Sequence, residues 1–346
     1  MDRVRVGIVG LGRAGWGMQC AELRRRPDKY SITAVCDVLE DRRTKAAAEI
    51  GCATYASIEE LVQDPNIDLV SIATRSYEHL PHAKIALAAG KDVLMEKPLC
   101  RNAAEAEELR HAVASASGTL YVRHNRRFEP TFQHIREIIA SGILGDVHEI
   151  KLRRQHYSRR DDWQTLMEFG GGMLLNWGPH IVDHALLLLE SPVADLWSDL
   201  KRVSAVGDAE DTLRIVLRGT NGRVVDLQIS GGSAIEEPTY LVFGDKGALT
   251  SDERTINLKY LDPALPLEVR TPNPNTPDSS FGSPEKLRWI EETIPVQPVY
   301  PCSLDSIWDE LYRTLREGVP FPITLEQALQ VIEVISRAKE GTEFEQ

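Results

Sequence analysis

The sequence predicts a two-domain protein of mixed α/β class, and its first domain is predicted to contain a doubly wound parallel sheet. The chain has 346 residues, more than one hydrophobic core usually holds. About the first 120 residues alternate short β-branched strands with helical segments, the pattern of a parallel sheet. A glycine-rich turn directly follows the first strand. We place the domains at residues 1–122 and 123–346.

The first strand and its turn carry the most specific local pattern. The strand at 4–9 is rich in valine, and 18–26 is predicted to form a helix that stops at Pro27. Between them, the first glycine permits a tight turn, the second lets the backbone approach a pyrophosphate, and the third lets helix pack on strand. The helix N-terminus also favours phosphate. The residues expected to hold a dinucleotide here are Gly10, Gly12, Arg13, Ala14 and Gly15.

The end of the second strand predicts which dinucleotide is bound. This strand, at 31–36, ends in Asp37, about 20 residues beyond the glycine turn, where a carboxylate binds the ribose hydroxyls of NAD. Arg42 and Arg43 follow within a helix at 40–50, and arginines near this strand can hold the 2′-phosphate of NADP. We interpret both arginines as solvated and expect NAD, with NADP as the alternative.

The remaining elements of the first domain continue the alternation and complete a doubly wound sheet. Two of its helices have sequence caps, Ser57 with Glu60 and Asn102 with Glu105. The predicted order is a helix from Ser57, a strand at 68–73, a helix at 80–89, a strand at 92–95, a helix at 102–116 and a strand at 119–123.

Charge and cysteine content exclude several classes of function. Lys and Arg total 40 against 52 Asp and Glu, a net charge of −12, so neither nucleic acid nor an anionic membrane surface is expected as a partner. The five cysteines are scattered and odd in number, as in reduced cytoplasmic proteins. The amino terminus enters a strand without the apolar region of a signal peptide, and no segment is predicted to span a membrane. We expect a cytoplasmic protein.

The sequence beyond residue 122 predicts a strand-rich second domain. Strands are predicted at 211–217, 223–230 and 240–243, with Val225, Leu227 and Ile229 alternating with polar residues. This alternation predicts one apolar and one mixed sheet face. Residues 262–284 are rich in proline, asparagine and serine and are expected to form a lid, an arm or a mobile loop. Helices are predicted from Ser303 or Asp305 to 315 and from Thr324 onward.

The run from Ala89 to Leu99, with Glu96-Lys97-Pro98 at its centre, resembles a signature of the glucose-fructose oxidoreductase, inositol dehydrogenase and rhizopine catabolism (Gfo/Idh/MocA) family. Three other segments agree with it: the glycine turn, Asn125-Arg126-Arg127-Phe128, and Gly170-Gly171-Gly172 followed by Gly178-Pro179-His180 and Asp183. The resemblance implies a Rossmann NAD(P)-binding domain and a second domain built on a large, mostly antiparallel sheet. It also implies action on sugars, cyclitols or related alcohols, and a homo-oligomer, dimer or tetramer, packed through the mixed sheet face.

Oxidation of a secondary alcohol needs proton-handling groups beside the nicotinamide, and the resemblance implies that Lys97 and His180 supply them. A partly desolvated lysine has a lowered pKa, and histidine titrates near neutral pH. The family commonly has aspartate where this chain has Asn176, and an amide cannot ionise. We assign Asn176 to substrate hydroxyl binding, His180 to acid and base catalysis, and Lys97 to polarisation of the hydroxyl or carbonyl, with the division between Lys97 and His180 left open.

Four further interpretations concern neighbouring residues. Thr74 lies where the family contacts the cofactor, although Arg75 and Ser76 replace its usual proline and asparagine, and Glu96 is assigned to the cofactor site beside Lys97. His180 and His184 have metal-ligand spacing, but the motif lacks the glutamate of H-E-x-x-H, so no metal is expected. The arginines at 153, 154, 159 and 160 are expected to pair with acids, with binding of an anionic substrate group as the alternative.

The function expected is that of an NAD(P)-dependent oxidoreductase, which moves a hydride between the nicotinamide and a secondary alcohol of a sugar, cyclitol or derivative. Two alternatives stay open. One is a non-catalytic NAD-sensing regulator on the same fold. The other is a lyase or glycosidase that oxidises and re-reduces its substrate without net redox change.

Overall fold

The computed structural model describes residues 2–272, 274–276 and 285–345. Its first sheet is entirely parallel. Its strand order is β3-β2-β1-β4-β5-β6, the order of a doubly wound dinucleotide-binding domain, as predicted. The six strands are β1 Val4–Val9, β2 Tyr30–Cys36, β3 Ala53–Tyr55, β4 Leu69–Ile72, β5 Asp92–Met95 and β6 Leu120–Val122.

Helices cross both faces of this sheet. The caps predicted at Ser57 and Asn102 are present, because each side chain accepts a hydrogen bond from the backbone three residues later. The helix predicted at 18–26 differs: a π-helical stretch, Arg13–Cys20, precedes only a short α-helix. The helices are α1 Ala21–Arg24, α2 Glu40–Ile50, α3 Ile58–Leu61, α4 His79–Ala88 and α5 Ala103–Ala114.

Within the described residues, the second sheet has eight strands in the order β14-β13-β12-β11-β7-β10-β9-β8, of which only β7 and β10 pair in parallel. Val225, Leu227 and Ile229 are fully buried on one face, which confirms the predicted alternation. The strands are β7 Val147–Gln155, β8 Val193–Lys201, β9 Thr212–Gly219, β10 Val224–Ser230, β11 Tyr240–Gly244, β12 Gly247–Ser251, β13 Thr255–Leu261 and β14 Trp289–Pro295.

The later helices cover the apolar face of this sheet and also return to the first domain. Helix α9 brings Trp308 to β2, where the Tyr30 hydroxyl donates to the Trp308 carbonyl at 2.6 Å and the two rings meet edge to face. The contact joins residues 278 positions apart. These helices are α6 Pro130–Ala140, α7 Met173–Asn176, α8 Gly178–Leu189, α9 Ser306–Glu317 and α10 Leu325–Lys339.

Three expectations concern loops, cysteines and membrane segments. Of the proline-rich stretch at 262–284, residues 273 and 277–284 lie outside the described residues, and the described remainder after Leu261 contains no helix or strand. All five cysteines are free. Across the described ranges, every helix is too short or too polar to cross a bilayer.

Candidate active site

The glycine turn after β1 has the geometry of a dinucleotide-binding turn. Gly10 has φ +92°, a conformation that L side chains rarely adopt. A Cβ at position 15 would lie 1.9 Å from the Gly10 carbonyl oxygen, so only glycine lets the helix approach the strand this closely. A Cβ at Gly12 would meet open space, which leaves its backbone accessible to a ligand. The exposed Arg13 and the partly buried Ala14 stand between them. These residues fit a pyrophosphate.

Asp37 lies at the end of β2, beside this turn, as predicted. One carboxylate oxygen accepts from the backbone N–H of Leu11 at 2.7 Å and from Arg42 at 3.1 Å, and the other accepts from Leu39 N–H. Arg43 donates to the Asp37 carbonyl at 2.7 Å. The interpretation of both arginines as solvated holds only in part: the Arg42 side chain is 47% exposed and Arg43 is partly buried, and each also folds back onto the residue that would contact the cofactor ribose.

Thr74 follows β4 at the same edge of the sheet. Its hydroxyl is 3.1 Å from Nδ1 of His82. The neighbouring Arg75 places its guanidinium 5.4 Å from the ring centre of Phe169 and 5.9 Å from that of Trp163. The residue that replaces the family's usual proline thus links the nucleotide domain to the segment before α7 through cation–π contacts.

Lys97, just after β5, connects the nucleotide domain to the second domain. Its Nζ donates to the Asn176 carbonyl at 2.8 Å and lies 3.5 Å from Asn176 Oδ1. The Lys97–Pro98 peptide bond is cis. Burial, together with the positive charges of Arg126, Arg13 and Arg123, lowers the pKa of Lys97 to about 8, against the opposing charge of Glu96.

Glu96 is buried and satisfied within the protein. Its Oε1 accepts from Arg123 at 2.9 Å and from Gln19 at 3.0 Å, while Oε2 is 3.4 Å from the Lys97 backbone nitrogen. Arg123 also donates to Glu22, which accepts from the Trp308 indole at 2.7 Å. Arg123 and Lys97 hold the pKa of Glu96 below its usual value despite burial. Glu96 is therefore a buried anion, and its negative charge stabilises the positive charge of Lys97.

His180 and Asn176 lie close together, in successive helical segments rather than in one continuous helix. Asn176 is the last residue of α7, and His180 lies in the first turn of α8. His180 is 7% exposed, and its Nδ1 has no hydrogen-bond partner among the described residues. Burial lowers the pKa of His180 well below its ordinary value, and the charges of Lys97 and Arg126 lower it further. The imidazole is therefore neutral at neutral pH.

Asp183 and His184 do not join this site. Asp183 forms a buried ion pair with Arg127, whose two nitrogens donate at 2.8 and 2.6 Å. His184 stacks on Phe132 with ring centres 3.7 Å apart, and its ring nitrogens contact the Tyr240 hydroxyl and a backbone carbonyl. Both residues are structural, and no cluster of three potential metal ligands occurs among the described residues.

The arginines of the 153–160 segment are largely paired, the interpretation that the sequence favoured. Arg153 binds Asp226, Arg154 binds Glu129 and Glu253, and Arg160 binds Asp162. The exposed Arg159 has no ion pair among the described residues.

Sequence reasoning missed three residues near Lys97. Arg126 lies 4.3 Å above the Trp177 ring and lowers the pKa of Lys97. The sequence identified Arg126 only as part of a family motif and gave it no role beside Lys97. His124 is buried, and neither of its ring nitrogens has a partner among the described residues. Gln164 accepts from the Asn176 amide at 3.1 Å. A glutamine in a loop carries no motif, so no sequence signal could have identified it.

Comparison with known proteins agrees with the fold. Residues 4–124 match the model described as "Oxidoreductase family, NAD-binding Rossmann fold", and residues 132–250 match the GFO/IDH/MocA C-terminal domain. The uncharacterized oxidoreductase YdgJ of Escherichia coli is 30% identical over 96% of this chain and 95% of its own length. The scyllo-inositol 2-dehydrogenase (NADP(+)) IolW of Bacillus subtilis is 26% identical over 99% of this chain and 94% of its own.

Solved structures show the same fold. An NAD-binding protein from Listeria innocua superposes with a TM-score of 0.83 at 24% identity, covering 99% of this chain and 98% of its own. The WlbA dehydrogenase of Bordetella pertussis, solved with NADH and UDP-GlcNAcA, has a TM-score of 0.75 at 20% identity over 97% and 96% of the two chains. The chain therefore belongs to the Gfo/Idh/MocA family of oxidoreductases and has an NAD(P)-binding Rossmann domain.

Proposed function

We propose that this protein is an NAD(P)-dependent dehydrogenase that moves a hydride between the nicotinamide and a secondary alcohol of a sugar, cyclitol or sugar derivative. The observation that carries the proposal is the environment of Lys97. Its Nζ lies at the junction of the two domains, its pKa is lowered to about 8, and Asn176 orients it from the second domain. A lysine with such a pKa can exchange a proton near neutral pH.

The cofactor would be held by the glycine turn at 10–15 and by Asp37, with Thr74 and the Glu96-Lys97 strand end beside its nicotinamide. A bound nicotinamide would accept or return the hydride. In the oxidation direction, neutral Lys97 takes the hydroxyl proton at Nζ, and the resulting ammonium donates to Asn176. With the domains divided at residue 122, residues 1–122 would contact the cofactor and residues 123–346 would contact the substrate.

We propose for His180 a different part from the acid and base catalysis expected from the sequence. Because burial and nearby cations disfavour its charged form, His180 is a weak proton acceptor at neutral pH. A neutral imidazole still both donates and accepts hydrogen bonds. We assign His180, with Asn176, to orientation of the substrate hydroxyl, and Lys97 to the proton transfer.

The substrate class is supported by relatives. IolW and the myo-inositol 2-dehydrogenase of Thermotoga maritima act on inositols by their names, and the latter is 27% identical over 72% of this chain and 75% of its own. Substrates of this class carry many hydroxyls, which suits a site made of an amine, an amide and an imidazole. We extend their substrate class to this protein.

The test is a panel of cyclitols, sugars and sugar acids incubated with the purified protein and NAD⁺ or NADP⁺, with nicotinamide absorbance and reaction products followed together. We expect reduced cofactor with at least one polyol, and loss of the signal in Lys97→Ala with cofactor binding retained. Lys84→Ala is the control, because Lys84 forms an exposed ion pair with Glu108. Products without net cofactor reduction would instead indicate the lyase or glycosidase. Cofactor binding without any product would indicate the sensor.

We further propose that the protein is a cytoplasmic homo-oligomer that associates through the open face of the second sheet. On β8, Trp197 is 54% exposed, and it pairs across the strands with Val216. Leu241 lies further along the same cross-strand row. An exposed tryptophan on a sheet face is typical of an interface. The molar mass from light scattering tests the oligomer, and a monomer at all concentrations would contradict it.

A further inference from the structure

We propose that Arg160 and Gln164 are positioning residues that fix the orientation of the Asn176 amide, and that they are the reason why this chain has an amide rather than a carboxylate at position 176. The inference rests on the proposed function in one respect: the amide oxygen so positioned faces Lys97, the residue assigned to proton transfer.

The orientation follows from donors and acceptors along one chain of contacts. Arg160 can only donate, and its guanidinium lies 2.6 Å from Oε1 of Gln164. Gln164 must therefore present its oxygen. Asn176 Nδ2 lies 3.1 Å from the same oxygen and donates to it. The Asn176 oxygen is then turned to the other side, 3.5 Å from Lys97 Nζ.

At its other end, this series of hydrogen bonds reaches Lys97, whose charged side chain can only donate. The Lys97 ammonium has three donors and no acceptor, so it requires oxygens around it. It receives two from Asn176, the carbonyl at 2.8 Å and the side-chain oxygen. Arg160 and Lys97, at opposite ends, thus impose the same orientation on the two amides between them.

A carboxylate at position 176 does not fit this arrangement. One of its oxygens would face Gln164 Oε1, acceptor against acceptor, and Gln164 cannot rotate to donate without losing its bond to Arg160. The other oxygen would place a negative charge beside Lys97 and favour the ammonium over the amine. Both effects act against proton transfer by Lys97 near neutral pH.

The loop that carries Gln164 is held independently of these amides. The Gln164 carbonyl accepts from Gly172 N–H at 2.8 Å, and the Gln164 N–H donates to Asp162 at 2.9 Å. Asn176 N–H donates to the Gly172 carbonyl at 3.0 Å. Substitution of the Gln164 side chain therefore changes the amide contacts while these backbone contacts remain, whereas Arg160→Ala also removes the ion pair of Arg160 with Asp162.

The experiment compares five variants and one control with wild type, using the best substrate of the panel and kcat/KM as a function of pH, and one of the five is Arg160→Ala alone. Gln164→Glu keeps an acceptor for both neighbours, and we expect activity within about twofold of wild type. Gln164→Leu removes that acceptor, and Asn176→Asp opposes two acceptors, so each should lose about tenfold. In Asn176→Asp the pH at which activity rises should also move upward, because the carboxylate favours the ammonium. Arg313→Ala, at an exposed pair with Glu310, is the control.

The double variant Arg160→Ala with Asn176→Asp, compared with each of its two single variants, tests the coupling. Without Arg160, Gln164 is free to rotate and donate Nε2 to the new carboxylate. We therefore expect the double variant to be several-fold more active than the product of the two single effects predicts. Strictly multiplicative effects, or full activity of Gln164→Leu, would overturn the proposal.

A urea-unfolding cycle on the same variants separates this inference from the proposed function. The coupling between positions 160 and 176 should appear in the free energy of unfolding even if no substrate of the panel is turned over. Coupling without turnover would leave the inference standing and remove the dehydrogenase. Turnover without coupling in either measurement would support the dehydrogenase and overturn the inference about Arg160 and Gln164. Should Asn176→Asp alone fail to fold, recovery of folding in the double variant supports the proposal and failure of both overturns it.

Discussion

The lowered pKa of Lys97 gives a prediction with a definite size. An ordinary lysine has a pKa of about 10.4, so at pH 7 roughly one side chain in 2,500 holds a free amine. With its pKa at about 8, Lys97 holds a free amine in roughly one molecule in ten. The environment of Lys97 therefore raises the reactive fraction by about two hundredfold.

The sign of the pH dependence follows from the direction of reaction. Alcohol oxidation needs the amine, so kcat/KM should rise with pH, bend near pH 8 and level off above it. Carbonyl reduction needs the ammonium and should fall over the same range. Lys97→Arg keeps a cation that cannot lose its proton, so its oxidation rate should drop by about two hundredfold or more and lose the bend near pH 8.

The assay measures kcat/KM for oxidation from about pH 6 to about pH 10, so that it covers both the shifted and the ordinary lysine pKa. Labelling of Lys97 with acetic anhydride over the same range, followed by mass spectrometry, reports the amine directly. Lys84, which is exposed, supplies the reference. A bend near pH 10, or equal labelling profiles for Lys97 and Lys84, would refute the assignment of Lys97 as proton acceptor.

Two further predictions concern cofactor choice and stability. Arg42→Ala removes the cation paired with the Asp37 carboxylate and should weaken NADPH binding by about tenfold while NADH binding changes by less than about twofold, measured by fluorescence titration. Equal losses for both cofactors would mean that Arg42 only orients Asp37. Arg127→Met leaves Asp183 as an unpaired buried charge and should lower the free energy of unfolding by about 3–5 kcal/mol in urea. Arg313→Met is its control, and a matching small loss in both would contradict the role of this ion pair.

The sequence predicted those parts of the molecule that depend on local rules. Gly10 is required by its positive φ, and Gly15 is required by its close approach to the Gly10 carbonyl. The Asn102 cap depends on Glu105, three positions away. The burial of Leu227 follows from its alternation with polar neighbours. In each case the determining contact lies within a few residues, so the pattern is visible in the chain.

The site depended on contacts that no local rule contains. Arg42 was interpreted as solvated because a helix position says nothing of where a long side chain folds. Gln164 contacts Asn176 through a loop whose path depends on the glycines at 170–172. The pKa of Lys97 depends on Arg126 and on burial by the second domain, and a motif supplies neither. The identity of the candidate site could be predicted, but its electrostatics could not.

The contact of Trp308 with Glu22 has a consequence for the order in which the protein is made. The nucleotide domain is synthesised first, yet the indole that completes its buried Glu22–Arg123–Glu96 network arrives 286 residues after Glu22. Until α9 leaves the ribosome, Glu22 has its contact with Arg123 but lacks the Trp308 indole, and the Tyr30 hydroxyl lacks the Trp308 carbonyl. The hydrogen-bond network around Glu96, next to Lys97, is thus complete only after α9 has been synthesised, so a nascent chain that stops before α9 would have the glycine turn without this complete network.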